Sequence, residues 1–156
     1  MSANALSTYQ KDTINKQFLG LIETAKKGML NSNENKFIGV LDTSGSMTSY
    51  VPGTNVSAYS VGKVMTLYMS YLLEGTFANT YFEFSNDTIM KQWKGSTPID
   101  KLVNDNSSII AGTNFLSIAK HFNKILNQGV SESDFPSGIV CFSDKQKLSP
   151  YMVTCK

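Results

Sequence analysis

Asp42, Ser44 and Ser46 alternate along one short segment that follows the apolar run Phe37-Ile38-Gly39-Val40-Leu41. A carboxylate and two hydroxyls at this spacing place one hard anionic oxygen and two neutral ones on a single loop. That donor set suits magnesium, which takes oxygen ligands and keeps some of its water. An apolar run of strand length that stops at a carboxylate also fits a buried parallel strand whose last residues present oxygens at the carboxyl edge of a sheet. The plainer reading is an ordinary turn in which Asp42 or Ser44 caps the next helix.

The flanking elements favour the first reading if they bring further oxygens to the same edge. Ile14, Phe18, Leu21, Ile22 and Ala25 fall at helical spacing between Thr13 and Leu30. After Met47, a loop with Pro52 and Gly53 leads to Ser57, an expected N-cap. The helix it opens carries a stripe of Ala58, Val61, Met65, Tyr68 and Leu72, with more apolar residues on its other sides. A helix of that composition is expected to be largely buried, and Gly75 to close it. Thr80–Phe84 and Thr88–Trp93 read as two strands joined by a tight Asn86-Asp87 hairpin, the second at a sheet edge. Residues 94–112 are polar, with a weak helical signal near Ile99–Val103. Phe115, Ile118, Ala119, Phe122, Ile125 and Leu126 then repeat at three and four up to Gly129. Gly138-Ile139-Val140-Cys141-Phe142 is a second fully apolar run, and it also ends in a hydroxyl and a carboxylate, Ser143 and Asp144.

Two apolar strands separated by helices predict an α/β fold with a mostly parallel sheet, an antiparallel edge hairpin and helices on both faces. In such sheets ligands collect at the carboxyl ends of strands near the switch in strand order. If the two apolar strands are neighbours, Asp42 and Asp144 face one crevice. Thr113, in Ala111-Gly112-Thr113-Asn114-Phe115, sits just before a helix, where its plain role would be an N-cap. Gly112 would let that loop approach closely.

Taken in order, Asp-Thr-Ser-Gly-Ser, Gly-Thr-Asn-Phe and Phe-Ser-Asp resemble the three segments of the metal-ion-dependent adhesion site of von Willebrand factor A (vWA) domains. The resemblance covers roughly Lys36 to Lys147. With the Phe84-Ser85-Asn86 hairpin, it is nearest to the intracellular branch found in Ro-type RNA-binding proteins and related bacterial and phage proteins. It implies a Rossmann-like, doubly wound sheet. It also implies a metal site in which Ser44, Ser46 and Thr113 contact Mg2+ directly (Mn2+ or Ca2+ being alternatives), with Asp42 and Asp144 binding directly or through water. Few charged direct ligands leave the ion electrophilic, and in this family a partner's Asp or Glu side chain usually completes its shell. Gly45 is expected to permit the turn between the serines, and Met47 to pack beneath the site.

The resemblance also marks a departure. Only Lys145–Lys156 follow Asp144, so the family's final strands and their helix have no evident counterpart. Tyr151–Cys155 would supply one short strand at most. Residues 1–35 are expected to form a helix packed on or leading into the vWA-like unit 36–147, with 148–156 as a short tail. The strand Ile139–Phe142 would then lie at or next to an edge, which invites pairing with another chain. Lys145 stands close to the expected cation and would weaken its binding.

Composition narrows the function. The 156 residues carry 14 basic and 12 acidic groups, a net charge of +2, which is too balanced to argue for nucleic-acid binding by charge. No apolar run approaches a membrane span, and the amino terminus lacks the order of a signal peptide. Two cysteines, Cys141 and Cys155, make no disulfide framework and point to a reducing cytoplasm, or to a virion assembled there. His121 is the single histidine, and no nucleophile–base, phosphate-cradling or zinc pattern accompanies it, so an enzyme is not expected. The expected function is metal-dependent recognition of a partner's acidic side chain, in assembly or scaffolding. The alternative is a structural component of a phage particle or ribonucleoprotein with a vestigial metal site.

Overall fold

The apolar run after Lys36 forms the central strand β1 (Phe37–Asp42), and the other elements are layered around it. A computed structural model describes residues 6–29 and 36–144. The order is α1 (Thr8–Met29), β1, α2 (Ala58–Ser70), β2 (Thr80–Phe84), β3 (Thr88–Gln92), α3 (Pro98–Asn104), α4 (Phe115–Asn127) and β4 (Gly138–Phe142). The strands make one four-stranded sheet in the order β3-β2-β1-β4. β1 pairs in parallel with both β2 and β4, and β2 pairs antiparallel with β3. This α/β arrangement is compatible with a Rossmann-like fold. The hairpin turn uses three residues rather than two, because Phe84 and Thr88 are the last pair and Ser85 N–H closes the turn on the Asp87 carbonyl.

Side-chain alternation along the strands divides the core into two layers. Ile38, Val40, Phe82 and Phe84 pack with Ile118, Phe122 and Ile125 of α4. Leu41, Tyr81, Met47 and Trp93 pack with Leu67 of α2, with Phe18 of α1 and Leu102 of α3 against them. Helices therefore cover both faces, as the alternation of elements predicts. β1 receives β2 on one side and β4 on the other, so the switch in strand order lies at the β1–β4 pair. Leu41 is in register with Phe142, which brings the residues after both strands to one edge.

The expected buried stripe of α2 is corrected by the structure. Val61, Val64 and Met65 are exposed, whereas Gly62, Thr66, Leu67 and Ser70 are buried. The reason is closeness of approach. A Cβ on Gly62 would lie 2.7 Å from Leu41 Cδ1, and one on Gly39 would lie 2.9 Å from Thr66 Cγ2. Gly62 makes room for Leu41 and Gly39 makes room for Thr66, so α2 seats closely against β1 through small residues beside the buried Leu67.

The expected face of α1 is also shifted. Ile22 is buried as expected, but Ile14 and Leu21 are exposed and Asn15 is buried. Phe18 meets Tyr68 and Tyr71 of α2 edge-on, with ring centroids 6.2 and 5.9 Å apart. Asn15 turns inward because its Oδ1 accepts the Ile99 N–H at 3.0 Å, satisfying a donor in the first turn of α3. That helix is firmer than its weak apolar pattern suggests. Thr97 and Asp100 form a reciprocal capping box, and Pro98 opens the first turn.

Two glycine roles are corrected as well. Gly75 lies past the end of α2 and opens a short 3-10 turn, Gly75–Phe77, with φ of 66°. Gly45 has an open position around it and no positive φ, so the serine turn does not depend on it. Ser57 caps α2 as expected, accepting the Ser60 N–H at 3.1 Å. Tyr151–Cys155, Lys145 and the proposed tail 148–156 lie outside the described residues. Among the described residues no helix is long and apolar enough to cross a membrane.

Candidate metal centre

At the carboxyl ends of β1 and β4, the Asp42, Ser44, Ser46 and Asp144 side chains come together. Asp42 is fully buried. Its Oδ1 accepts the Ser44 N–H at 2.8 Å, and its Oδ2 accepts the Ser143 hydroxyl at 2.6 Å. Residues 45–48 then form a 3-10 turn, Gly45–Thr48, which brings Ser46 back over Ser44. The Ser44 and Ser46 oxygens are 3.2 Å apart, and Ser46 Oγ donates to Asp144 Oδ1 at 2.9 Å. Each hydroxyl has one proton, so the chain runs Ser44 to Ser46 to Asp144. Ser44 stands at the N-cap of this turn, yet its side chain makes no capping bond. The plain turn reading therefore accounts for Asp42, which holds the Ser44 amide, and not for the two serine hydroxyls.

Met47 is buried beneath the cluster as expected, and Asp144 N–H points at its sulfur at 3.2 Å. Cys141, one strand position before Phe142, is half-buried. Burial, with the Asp42 charge nearby, pushes its thiol up to about 12, which keeps it protonated and inert at neutral pH.

Thr113 belongs to the loop between α3 and α4, and three contacts on either side of it fix that loop. Ile110 N–H donates to the Thr43 carbonyl at 2.9 Å, directly after β1. Asn114 N–H donates to the Ser85 carbonyl at 2.6 Å, and its side-chain amide donates to the Asn86 carbonyl at 3.2 Å. Between them Gly112, with φ of +104°, passes so close to Asn86 that a Cβ would overlap its amide. Only glycine satisfies both conditions. The N-cap position of α4 is held by Asn114 rather than Thr113, and the Asn114 side chain makes no capping bond there.

Among the described residues no three His, Cys, Asp or Glu side chains converge. The cluster holds two carboxylates, and its other oxygens are hydroxyls. His121 lies elsewhere, on α4, with its ring edge-on to Phe82 at 5.6 Å. Neither a protein-family model, nor a curated protein, nor a solved structure matches the chain.

Sequence reasoning missed the residues that hold the Thr113 loop. Asp105 and Ser107 lie in the polar stretch 94–112 and reach partners on β2, β3 and α2. The signals available were Glu83 and Lys91, two charges inside strand-like runs; a buried charge requires a partner.

Proposed function

We propose that the chain is a vWA-type, divalent-metal-dependent protein-binding module that recognises an acidic side chain of a partner during assembly or scaffolding. Asp42, Ser44, Ser46, Thr113 and Asp144 would hold the ion. The observation that carries this reading is the Ser44–Ser46–Asp144 chain, which joins the ends of two neighbouring parallel strands through oxygen donors alone. Its spacings of 3.2 and 2.9 Å are close to the separation of about 2.9 Å between adjacent oxygens around magnesium, given bonds of about 2.0–2.1 Å. Mg2+ fits this donor set best, with Mn2+ and Ca2+ as substitutes. Both oxygens of Asp42 already accept protein hydrogen bonds, which suits a carboxylate that orients the loop and meets the ion through water.

When bound, the ion would supply an electrophilic position that attracts a partner's carboxylate. The protein's part is to hold neutral hydroxyls in the inner positions, so that the charge is left for the partner to neutralise. This is a binding chemistry, and we propose no catalytic step. A reducing, cytoplasmic setting or an assembled particle fits a half-buried, protonated Cys141. The open side of β4 offers a second contact: among the described residues it pairs only with β1, and another chain could add a strand there.

One observation favours the alternative, a structural component with a vestigial site. Ser46 satisfies Asp144, and Ser143 satisfies Asp42, so the cluster closes through its own hydrogen bonds. Thermal melting with increasing Mg2+ or Mn2+ separates the two readings. A working site should gain about 2.7 kcal/mol at a hundred times Kd, with the gain lost in Asp42→Ala and in Ser46→Ala. Identical melting with and without metal leaves the structural reading alone.

A further inference from the structure

A second group of polar side chains is buried on the α2 face of the sheet. It joins Tyr81 and Glu83 of β2, Lys91 of β3, Lys63 of α2, and Asp105 and Ser107 just past α3. The Asp105 and Glu83 side chains are 3% and 7% exposed. Tyr81 Oη lies 2.7 Å from Asp105 Oδ1 and 2.9 Å from Glu83 Oε1. Lys91 Nζ stands 3.1 Å from Asp105 Oδ1 and 3.4 Å from Glu83 Oε1, and Lys63 Nζ stands 2.9 Å from Asp105 Oδ2. Ser107 Oγ lies against both carboxylates, has one proton to donate to either, and accepts from Lys91 at 3.2 Å. Two carboxylates and two ammonium groups balance, which is the condition for keeping such charges out of water.

The network sits at the start of the loop 105–114. That loop has no helix or strand of its own, and residues 108–112 are exposed, so apolar burial does little to fix it. It is held at Asp105 and Ser107, at Ile110 on the end of β1, and at Asn114 on the β2–β3 hairpin. Thr113 lies between the last two anchors. If the first anchor is lost, the span from Asn104 to Thr113 is left with the Ile110 hydrogen bond to Thr43 and the close approach of Gly112 to Asn86 ahead of the Asn114 anchor.

We infer that Asp105 and Ser107 are positioning residues for Thr113: the buried charge network holds the loop, whose backbone is tied at Thr43 and Ser85, so that the threonine oxygen could serve the ion that Asp42, Ser44, Ser46 and Asp144 would hold. This rests on the metal-binding reading for its consequence, and on the network alone for its cause. The two can be measured separately on the full chain, by calorimetric Mn2+ titration and by hydrogen–deuterium exchange of 105–114 in EDTA. Asp105→Asn should weaken Mn2+ binding by about ten- to a hundredfold, the usual cost of losing a group that orients a ligand, and should speed exchange across 105–114. Phe122→Leu, in the core on the opposite face, should lower Tm and change neither. Unchanged exchange in folded Asp105→Asn overturns the inference. Faster exchange with native Mn2+ affinity overturns it too, since the network would then serve the fold alone. If the native chain binds no Mn2+, the metal reading fails, and the exchange measurement still decides whether the network holds the loop. If Asp105→Asn does not fold, Ser107→Ala carries the same test.

Discussion

Acid should remove stability through Asp105 in a defined window. Burial by itself raises this carboxyl, but hydrogen bonds from Ser107, Lys63 and Tyr81 and the Lys63 charge outweigh it and hold the group at about 2, against an ordinary 3.8. A folded pKa below the unfolded one means stability that is fully present above about pH 4 and lost as pH falls toward 2. The difference of nearly two pH units corresponds to about 2 kcal/mol, of which about 1 kcal/mol is gone by pH 3. The side chain is 3% exposed, so solvent screening takes little of this away. Asp100 is also held low, by its hydrogen bond from Thr97, but it titrates equally in native and variant protein and drops out of the comparison. Urea unfolding of the native chain and of Asp105→Asn at pH 7, 5, 4 and 3 measures the effect. The native advantage should be constant from pH 7 to 5 and should shrink by about 1 kcal/mol at pH 3. Parallel stability curves for the two proteins would refute the argument.

Three further outcomes follow from packing, capping and burial. Gly39→Ala should cost about 1–3 kcal/mol in urea unfolding, because the new methyl meets Thr66 Cγ2 at 2.9 Å and Thr66 Cα at 3.1 Å; Thr66→Ser, which removes the nearer atom, should recover part of it. Thr97→Ala removes the side-chain half of the α3 capping box, the bond that Thr97 Oγ1 accepts from Asp100 N–H, and should lower stability by about 1 kcal/mol, with a Tm equal to that of the native chain as the contrary result. In Cys155→Ser, the remaining thiol of Cys141, pushed up to about 12 from 9.0, should react with iodoacetamide at pH 8 about a thousandfold more slowly than an ordinary cysteine. Rapid alkylation of the folded protein would count against that burial.

Element types were readable wherever local signals agreed, and element faces were not. The strands Phe37–Asp42 and Gly138–Phe142 are continuous apolar runs, and α4 repeats its apolar residues at three and four, so each showed in the sequence. In α2, hydrophobicity pointed at Val61 and Met65, while the contact itself was decided by the absence of atoms: Gly62 opposite Leu41, and Thr66 opposite Gly39. Hydrophobic patterning scores what a residue adds and is blind to what it leaves out of the way. α3 shows the reverse case, a helix with little apolar pattern that depends on Thr97, Pro98, Asp100 and the hydrogen bond that the distant Asn15 accepts from Ile99 N–H. A capping box is visible in sequence, and reading Thr97-x-x-Asp100 with Pro98 as a start signal would have found it.

The strand ends and the Thr113 loop of the proposed site are held by different physics, and only the first was legible. The segments that carry Asp42 and Asp144 come to one edge because β1 and β4 pair in register through Leu41 and Phe142, a backbone ladder that follows from two apolar runs and does not depend on charge. Thr113 is held by a loop whose first anchor is an ionic network assembled from residues 63, 81, 83, 91, 105 and 107. No local pattern links those positions, since their partners come from α2, β2, β3 and the loop after α3 and meet in the folded chain. The two should therefore separate in Asp105→Asn. The strand ends keep their hydrogen bonds, while the Thr113 loop loosens. Exchange measured in Asp105→Asn should rise across 105–114 and stay native at β1 and β4. Equal loosening of both would mean that the strand ends, too, depend on the network.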